Sequence, residues 1–161
     1  MKRTRQIHWE NPEPAAKQAL KMSGIDYLNA MGAGQLPLPP LLYTLDFKIG
    51  ELEEGSVSFS FRPQEFHYNP IGTVHGGVIS AILDSAMGCS LHTLLEIGKA
   101  YTTLELKVNF LKAVTTKTEE LKAVGKVVYV GGRTALVEAQ LVDEKGQLYA
   151  HATSTCMIFK F

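Results

Sequence analysis

The chain has 161 residues, of which 45% are hydrophobic and 20% are charged, a composition typical of one globular domain. Lysine plus arginine and aspartate plus glutamate both number 16, so the positive field of a nucleic-acid-binding protein is absent. No apolar run reaches the ~18 residues of a membrane span, and the N-terminus lacks a signal-peptide core. We therefore predict a cytoplasmic protein with no membrane or nucleic-acid partner.

The first forty residues carry helical patterns. Asn11 and Pro12 are typical of a helix start, where asparagine caps the helix and proline takes its first position. Ser23 and Gly24 interrupt the pattern, and the proline-rich run at 37–40 ends it. We predict an N-terminal helical extension over residues 1–40.

Alternating apolar residues then predict strands. The pattern begins at Leu41 and repeats at Val57, Phe59 and Phe61 after a glycine-containing turn, which indicates a hairpin. Four further strands are predicted at about 101–114, 119–130, 134–143 and 147–159. The short connections between them require antiparallel neighbours.

Between these two groups of strands lies a long helix that is apolar almost all round. The loop N-P-I-G-T-V-H-G-G at 69–77 leads into it, and Gly98 is the predicted C-terminal cap. Such a helix is buried on every side, so we predict an α+β fold in which an antiparallel sheet of about six strands wraps around it. One subunit covers only part of the helix, and we predict a homodimer at least.

The helix contains one carboxylate, Asp84. An ionised carboxylate in an apolar interior costs several kcal/mol unless it is compensated. Burial by pairing with a cation or hydroxyl of another subunit is the structural explanation, and catalysis is the functional one.

The motif residues Asn69, Gly72, His75, Gly76 and Gly77, with Asp84 nine residues after the histidine, resemble the hotdog-fold acyl-CoA thioesterases of the PaaI type. The segments S-G-I-D-Y-L, G-Q-L-P-L-P-P, Y-T-T-L-E-L-K-V-N-F and G-G-R also resemble this family. The resemblance implies a hotdog thioesterase domain at 41–161, an acyl-CoA substrate, no cofactor beyond the coenzyme A of the substrate, and assembly into a homotetramer as a dimer of dimers.

Thioester hydrolysis develops negative charge on the carbonyl oxygen, and free N–H groups at a helix N-terminus stabilise such charge. Gly76 is therefore a candidate oxyanion donor, and Asp84 is a candidate base or nucleophile. At ~1.5 Å per residue the two lie ~12 Å apart along one helix. If they serve one thioester, they belong to different subunits, with the central helices antiparallel across a twofold axis.

The resemblance implies further site residues. Asn69 would position the substrate or water, and the hydroxyl of Thr103 would assist, although alternation puts Thr102, Leu104 and Phe110 on the apolar face and Thr103 on the other. His75 either polarises the site or holds the loop by bonding to backbone. The residues assigned to substrate binding are Gly77, Thr102, Gly132 and Arg133, of which Arg133 would bind a CoA phosphate.

Other chemistries are disfavoured. His92 lies three residues after Cys89 but nothing electropositive activates the thiol, and the scattered histidines and cysteines do not form a metal site. The alternatives that remain are a non-hydrolytic acyl-CoA binding or sensing protein and, less in keeping with the motif, a hotdog dehydratase. The acyl group stays open between aromatic and aliphatic.

Overall fold

The computed structural model describes residues 1–160, in which three short helices precede a six-stranded sheet and one long helix. The helices before the sheet are α1 (Glu13–Ala19), α2 (Gly24–Gly32) and α3 (Pro40–Leu45). The hairpin strands are β1 (Lys48–Glu53) and β2 (Ser56–Phe61), and α4 (Gly76–His92) follows. The remaining strands are β3 (Lys99–Phe110), β4 (Leu121–Val130), β5 (Thr134–Asp143) and β6 (Leu148–Lys160).

All strand pairs of the sheet are antiparallel, in the order β1-β2-β4-β5-β6-β3. Helix α4 packs on one face of this sheet. The buried core combines apolar residues of α4 with inward residues of the strands, among them Ile82, Leu83, Met87, Phe61, Leu121, Val137 and Leu141. The predicted α+β hotdog architecture, with its N-terminal helical extension, is confirmed.

Helix α4 is not enclosed on every side by its own chain. Its buried side chains face the sheet, whereas Gly77 is exposed and Ala81 and Asp84 are partly exposed. The open face therefore carries the small residues and the carboxylate. No helix within residues 1–160 has the length and apolarity needed to cross a bilayer.

Glycine 125 brings the sheet close to α4. It lies in β4 between Val57 of β2 and Ala139 of β5. A Cβ added there would collide with the carbonyl oxygen of Ala86 and stand 2.7 Å from the hydroxyl of Ser90. The same hydroxyl accepts a hydrogen bond from the N–H of Val57 (2.9 Å), so helix and sheet are joined at this point by polar as well as apolar contacts.

The strand predicted from Leu41 is wrong, because residues 40–45 form α3. Pro40 begins this helix, and Asp46, with a positive φ of 55°, ends it. The Arg5 guanidinium donates to the carbonyls of Tyr43 (2.9 Å) and Thr44 (2.6 Å), which are C-terminal acceptors that a short helix leaves free. The contact comes from a segment 38 residues away from Tyr43, so the local alternation did not reveal it.

The predicted cap of α4 at Gly98 is also wrong. The helix ends at His92 with Thr93 as its C-cap. The Thr93 hydroxyl donates to the carbonyl of Ser90 (2.7 Å) and accepts from the N–H of Gly55 in the β1–β2 turn (2.8 Å), so a tertiary contact ends the helix early. Gly98, with a φ of 78°, instead serves the turn into β3.

Candidate active site

The loop before α4 is held by a buried histidine. His67 is only 1% exposed; its Nδ1 accepts from the N–H of Gln64 (3.0 Å) and its Nε2 donates to the carbonyl of Leu45 (2.9 Å). Burial lowers the pKa of His67, which keeps the ring neutral. The backbone carbonyl of His67 accepts a hydrogen bond from the N–H of His75 (2.8 Å). The residue before α4 is therefore held by a residue whose own ring is fixed.

His75 is the N-cap of α4. Its Nδ1 accepts from the N–H of Gly77 (2.8 Å), and its carbonyl accepts from Val78 (2.9 Å) and Ile79 (3.3 Å). Within residues 1–160 the N–H of Gly76 is therefore the one amide of this first turn without a partner. It stands at the positive end of the helix dipole, where an oxyanion is stabilised.

An aromatic ring covers the carbon face of Gly76. A Cβ added at this position would lie 3.1 Å from Cζ of Phe110, at the end of β3. The Phe110 side chain is nonetheless 54% exposed, so one side of the ring packs on the glycine and the other is open. Sequence reasoning missed this residue, because the contact appears only once β3 is placed beside the start of α4.

Asp84 is half-buried and bonded to a hydroxyl. Its Oδ1 accepts from Oγ1 of Thr103 at 2.9 Å. No lysine or arginine of the described chain forms an ion pair with this carboxylate. The structure thus brings together Asp84 and Thr103, two of the residues predicted for the site.

A β-bulge at Leu104 explains why the predicted face of β3 is wrong for Thr102, Thr103 and Leu104, whereas Leu106 and Val108 pack against the core as predicted. Thr103 pairs with Cys156 and Glu105 with Thr155, so Leu104 has no partner of its own on β6. The extra residue reverses the alternation, because two residues on one strand then oppose one on the next. Before the bulge the odd-numbered residues face α4, and Leu104 itself is 56% exposed.

The groups around Asp84 stay protonated at neutral pH. Burial, and then the charge of Asp84, raise the pKa of the Cys89 thiol to about 12. Burial is also the main cause that raises the pKa of Tyr101 and of Cys156, with smaller contributions from Asp84. Neither thiol is therefore an activated nucleophile.

Asn69 is engaged within its own loop. Its Oδ1 accepts from the N–H groups of Ile71 (3.0 Å) and Thr73 (3.2 Å), and its Nδ2 donates to the Thr73 hydroxyl (2.9 Å). These bonds form an Asx turn of the kind that asparagine favours. Its predicted role in positioning the substrate stays a prediction.

The residues predicted to bind substrate lie in separate places. Gly77 gives its N–H to His75, and Thr102 is exposed on the opposite face of β3 from Thr103. Gly132 and Arg133 lie in the β4–β5 turn, where they line a shallow cavity of about 310 Å³ together with Lys99, Lys160, Ile158 and Phe159. This end of the sheet therefore has three cationic side chains around one cavity.

The predicted oxyanion donor, Gly76, and the predicted catalytic carboxylate, Asp84, lie far apart within one protomer. Gly76 and Asp84 are separated by two turns of α4, which is ~12 Å at 1.5 Å per residue. A single thioester carbonyl cannot contact both groups of the same helix. One protomer therefore holds these two groups apart, with a free amide under Phe110 and a carboxylate bonded to Thr103.

Comparison with known proteins gives the family. The model of the thioesterase superfamily matches residues 71–150, a range that contains α4. A relative from Sulfurisphaera tokodaii that carries an esterase name is 34% identical over 103 residues, which cover 64% of this chain and 74% of the relative. The 1,4-dihydroxy-2-naphthoyl-CoA hydrolase of Escherichia coli K12 is 22% identical over 134 residues, covering 83% of this chain and 93% of that protein.

A solved structure shares the fold. The PaaI protein from the phenylacetic acid degradation operon of Escherichia coli superposes with a TM-score of 0.71 at 17% identity, covering 86% of this chain and 96% of that one. The arrangement of the sheet and the long helix is therefore shared with this solved structure. The chain belongs to the thioesterase superfamily and has the hotdog fold of the PaaI protein.

Proposed function

We propose that the protein is an acyl-CoA thioesterase in which Asp84 is the catalytic carboxylate. The observation that carries the proposal is the Asp84 carboxylate itself, half-buried on the open face of α4 and held by the hydroxyl of Thr103. A carboxylate that served only structure would be expected to have a cation beside it, and none of the described residues supplies one.

The reaction consumes one water. As a base, Asp84 takes a proton from the water that attacks the thioester carbon; as a nucleophile, it attacks that carbon itself, forms an acyl-aspartyl anhydride as the C–S bond breaks, and is restored when the water hydrolyses the anhydride. In both routes Thr103 keeps the carboxylate oriented. The N–H of Gly76 stabilises the negative charge that develops on the carbonyl oxygen. The C–S bond then breaks, a C–O bond has formed, and the proton ends on the sulfur of free CoA. Water and the acyl-CoA suffice for this sequence, without a metal or redox cofactor.

The site requires two subunits, and the edge of the sheet supports their arrangement. Strand β3 pairs with β6 on one side and is the last strand of the sheet on the other. Antiparallel pairing of two β3 strands about a twofold axis near Lys107 would set Phe110, and Gly76 beneath it, next to Thr103 of the partner. The same axis makes the two α4 helices antiparallel, as the separation of Gly76 and Asp84 requires.

Two observations support coenzyme A as the carrier of the acyl group: a surface cavity lined by cationic side chains, and a relative that is named for a CoA thioester. Arg133 and Lys160 line one surface cavity together with Lys99, whose ammonium is paired with Glu96 (2.8 Å), and Arg133 and Lys160 suit the phosphates of the nucleotide. The Escherichia coli relative described above acts on a CoA thioester. We therefore propose that Arg133 and Gly132 bind a CoA phosphate, in a homodimer that assembles further into a tetramer.

Release of free thiol from a panel of acyl-CoAs tests the function. The panel contains acetyl, butyryl, octanoyl, benzoyl and phenylacetyl thioesters, and we expect steady CoA release from at least one of them. Tight binding of acyl-CoA without release would support the non-hydrolytic binding protein instead. Release that Asp84→Asn does not diminish would remove the carboxylate from the mechanism.

Mixed subunits test the shared site. Gly76→Pro deletes the N–H at the first position of α4, where proline is favoured, and His75 before it is already extended (φ −61°, ψ 135°). The ring of Phe110 must shift, since it lies 3.1 Å from an added Cβ. Alone, Gly76→Pro and Asp84→Asn are both expected to be nearly inactive. Co-expressed with different tags, they should recover about a quarter of wild-type activity, because half of the dimers then contain one intact site of two.

Two copies of Asp84→Asn with the same pair of tags provide the matched control, which should recover nothing. If the mixed preparation is as inactive as its parents while exchange of tagged subunits is demonstrated by pull-down, the site lies within one subunit. The arrangement about β3 would then be wrong.

A further inference from the structure

The open face of α4 ends abruptly at Gly88. Along this face Gly77 is exposed, Ala81 and Asp84 are partly exposed, and Gly88, one turn beyond Asp84, is buried. The group that covers Gly88 is the side chain of Tyr101. A Cβ added at Gly88 would lie 2.8 Å from Cε2 of Tyr101 and would overlap its hydroxyl, so the ring lies directly on the helix backbone.

Strand β3 sets the position of this ring relative to the catalytic carboxylate. Tyr101 and Thr103 are two residues apart, before the bulge at Leu104, and therefore project to the same side. Thr103 bonds to Asp84, and Tyr101 covers the glycine four residues further along α4. Four residues of helix rise ~6 Å. The ring thus stands about one helical turn from the reacting carboxylate.

Two further rings support Tyr101 from behind. The His92 ring lies 5.8 Å from the Tyr101 ring, centroid to centroid, and the Tyr27 ring lies 5.7 Å from that of His92. Both nitrogens of His92 are buried without a hydrogen-bond partner in residues 1–160, so this end of the helix is closed by packing. Tyr101 is consequently unable to swing further along α4.

From this geometry we propose that Tyr101 is the residue that limits acyl length, and that the protein takes short acyl groups. An acyl chain that starts at Asp84 and runs along the small-residue face meets the ring after ~6 Å, which leaves room for about four carbons. The inference rests on the proposed function, because it takes Asp84 as the place of the thioester. It adds the substrate class, which the catalytic groups leave open.

The bulk of the ring, and not its hydroxyl, carries this role. The Tyr101 hydroxyl makes no hydrogen bond to any residue of the described chain. Tyr101→Phe should therefore keep both the fold and the length limit. Tyr101→Ala should open the space over Gly88 and extend the pocket toward His92.

Binding of S-alkyl-CoA thioethers, which a thioesterase cannot cleave, tests the proposal independently of hydrolysis. Isothermal titration would compare ethyl, butyl, octyl and dodecyl thioethers on the full-length wild type, Tyr101→Phe and Tyr101→Ala. We expect wild type and Tyr101→Phe to bind the octyl compound no more tightly than the butyl one. In Tyr101→Ala the octyl compound should gain at least about tenfold in affinity while the butyl compound changes little, because additional methylene groups become buried.

The matched control is Tyr129→Ala, which removes the same side chain at a position that is 64% exposed, and its length profile should be that of wild type. If thermal melting shows that Tyr101→Ala does not fold, Tyr101→Val replaces it, since a β-branched residue suits the strand and is still smaller than the ring. An unchanged length profile in the folded small variant, or no thioether binding at all, would overturn the proposal.

The thioether titrations also separate this inference from the proposed function. A length shift in a protein that hydrolyses no acyl-CoA would leave Tyr101 as the limit of a binding pocket and remove the catalytic proposal. Hydrolysis with the same length profile in wild type and Tyr101→Ala would do the opposite.

Discussion

Asp84→Asn is expected to lower kcat for acyl-CoA hydrolysis by about 10²- to 10⁴-fold. The amide can neither accept a proton from water nor attack a thioester at neutral pH. Its oxygen can still accept the hydrogen bond that Thr103 donates to the carboxylate at 2.9 Å in the wild type, so the local structure is preserved. Thiol release measured at saturating substrate gives kcat directly, and a melting temperature and an elution volume equal to those of wild type would show that fold and assembly are intact.

The matched control for this variant is Asp46→Asn. Asp46 is exposed and has a φ of 55°, a conformation that asparagine adopts readily, so the same chemical change should leave kcat unchanged. Full activity in Asp84→Asn would eliminate both proposed roles of the carboxylate. Equal losses in the two variants would point to a general effect of removing a negative charge.

Gly125→Ala is expected to cost about 3 kcal/mol of folding free energy and about 10 °C in Tm. The added methyl would overlap the carbonyl oxygen of Ala86 and stand 2.7 Å from the Ser90 hydroxyl. Both the strand and the helix are fixed here, because β4 is paired on either side and Ser90 bonds to the Val57 N–H. The methyl can therefore be accommodated only by separating α4 from the sheet.

Gly132→Ala serves as the control for stability. A Cβ at Gly132 would meet no atom within 4 Å, and its backbone does not have a positive φ, so its Tm should stay within about 2 °C of wild type. Both variants are melted at one protein concentration, since assembly contributes to Tm. A Gly125→Ala protein as stable as wild type would show that α4 can move away from β4 at little cost.

The parts of the fold that repeat a local pattern were predictable. The β5 bounds agree with those predicted from alternation, and the long apolar stretch after His75 is a helix because its residues have one continuous buried face. The interruption at Ser23 is likewise visible locally, since its hydroxyl accepts from the N–H of Asp26 as a helix cap does. Of the site, Asp84 could be singled out because a lone carboxylate in an apolar helix is costly.

The predictions that were wrong concern features that depend on contacts between distant segments of the chain. The C-terminal carbonyls of α3 accept hydrogen bonds from Arg5, and α4 ends where the Thr93 hydroxyl accepts a hydrogen bond from Gly55. The bulge at Leu104 results from the pairing of β3 with β6, and the sequence there contains no glycine that would indicate a bulge. Simple alternation therefore predicted that Thr103 points away from Asp84. The contacts of Tyr101 with Gly88 and of Phe110 with Gly76 can be recognised only when the position of β3 relative to α4 is known.

The free edge of β3 has a consequence for the protein in the cell. A newly synthesised copy carries twelve residues of extended chain whose outer N–H and C=O groups have no neighbouring strand in the protomer, with Leu104 and Phe110 facing water. Such an edge is a template on which another extended chain can pair. In the proposed dimer, pairing with β3 of a second copy covers it, so dimerisation would compete with association with other unfolded chains during biosynthesis.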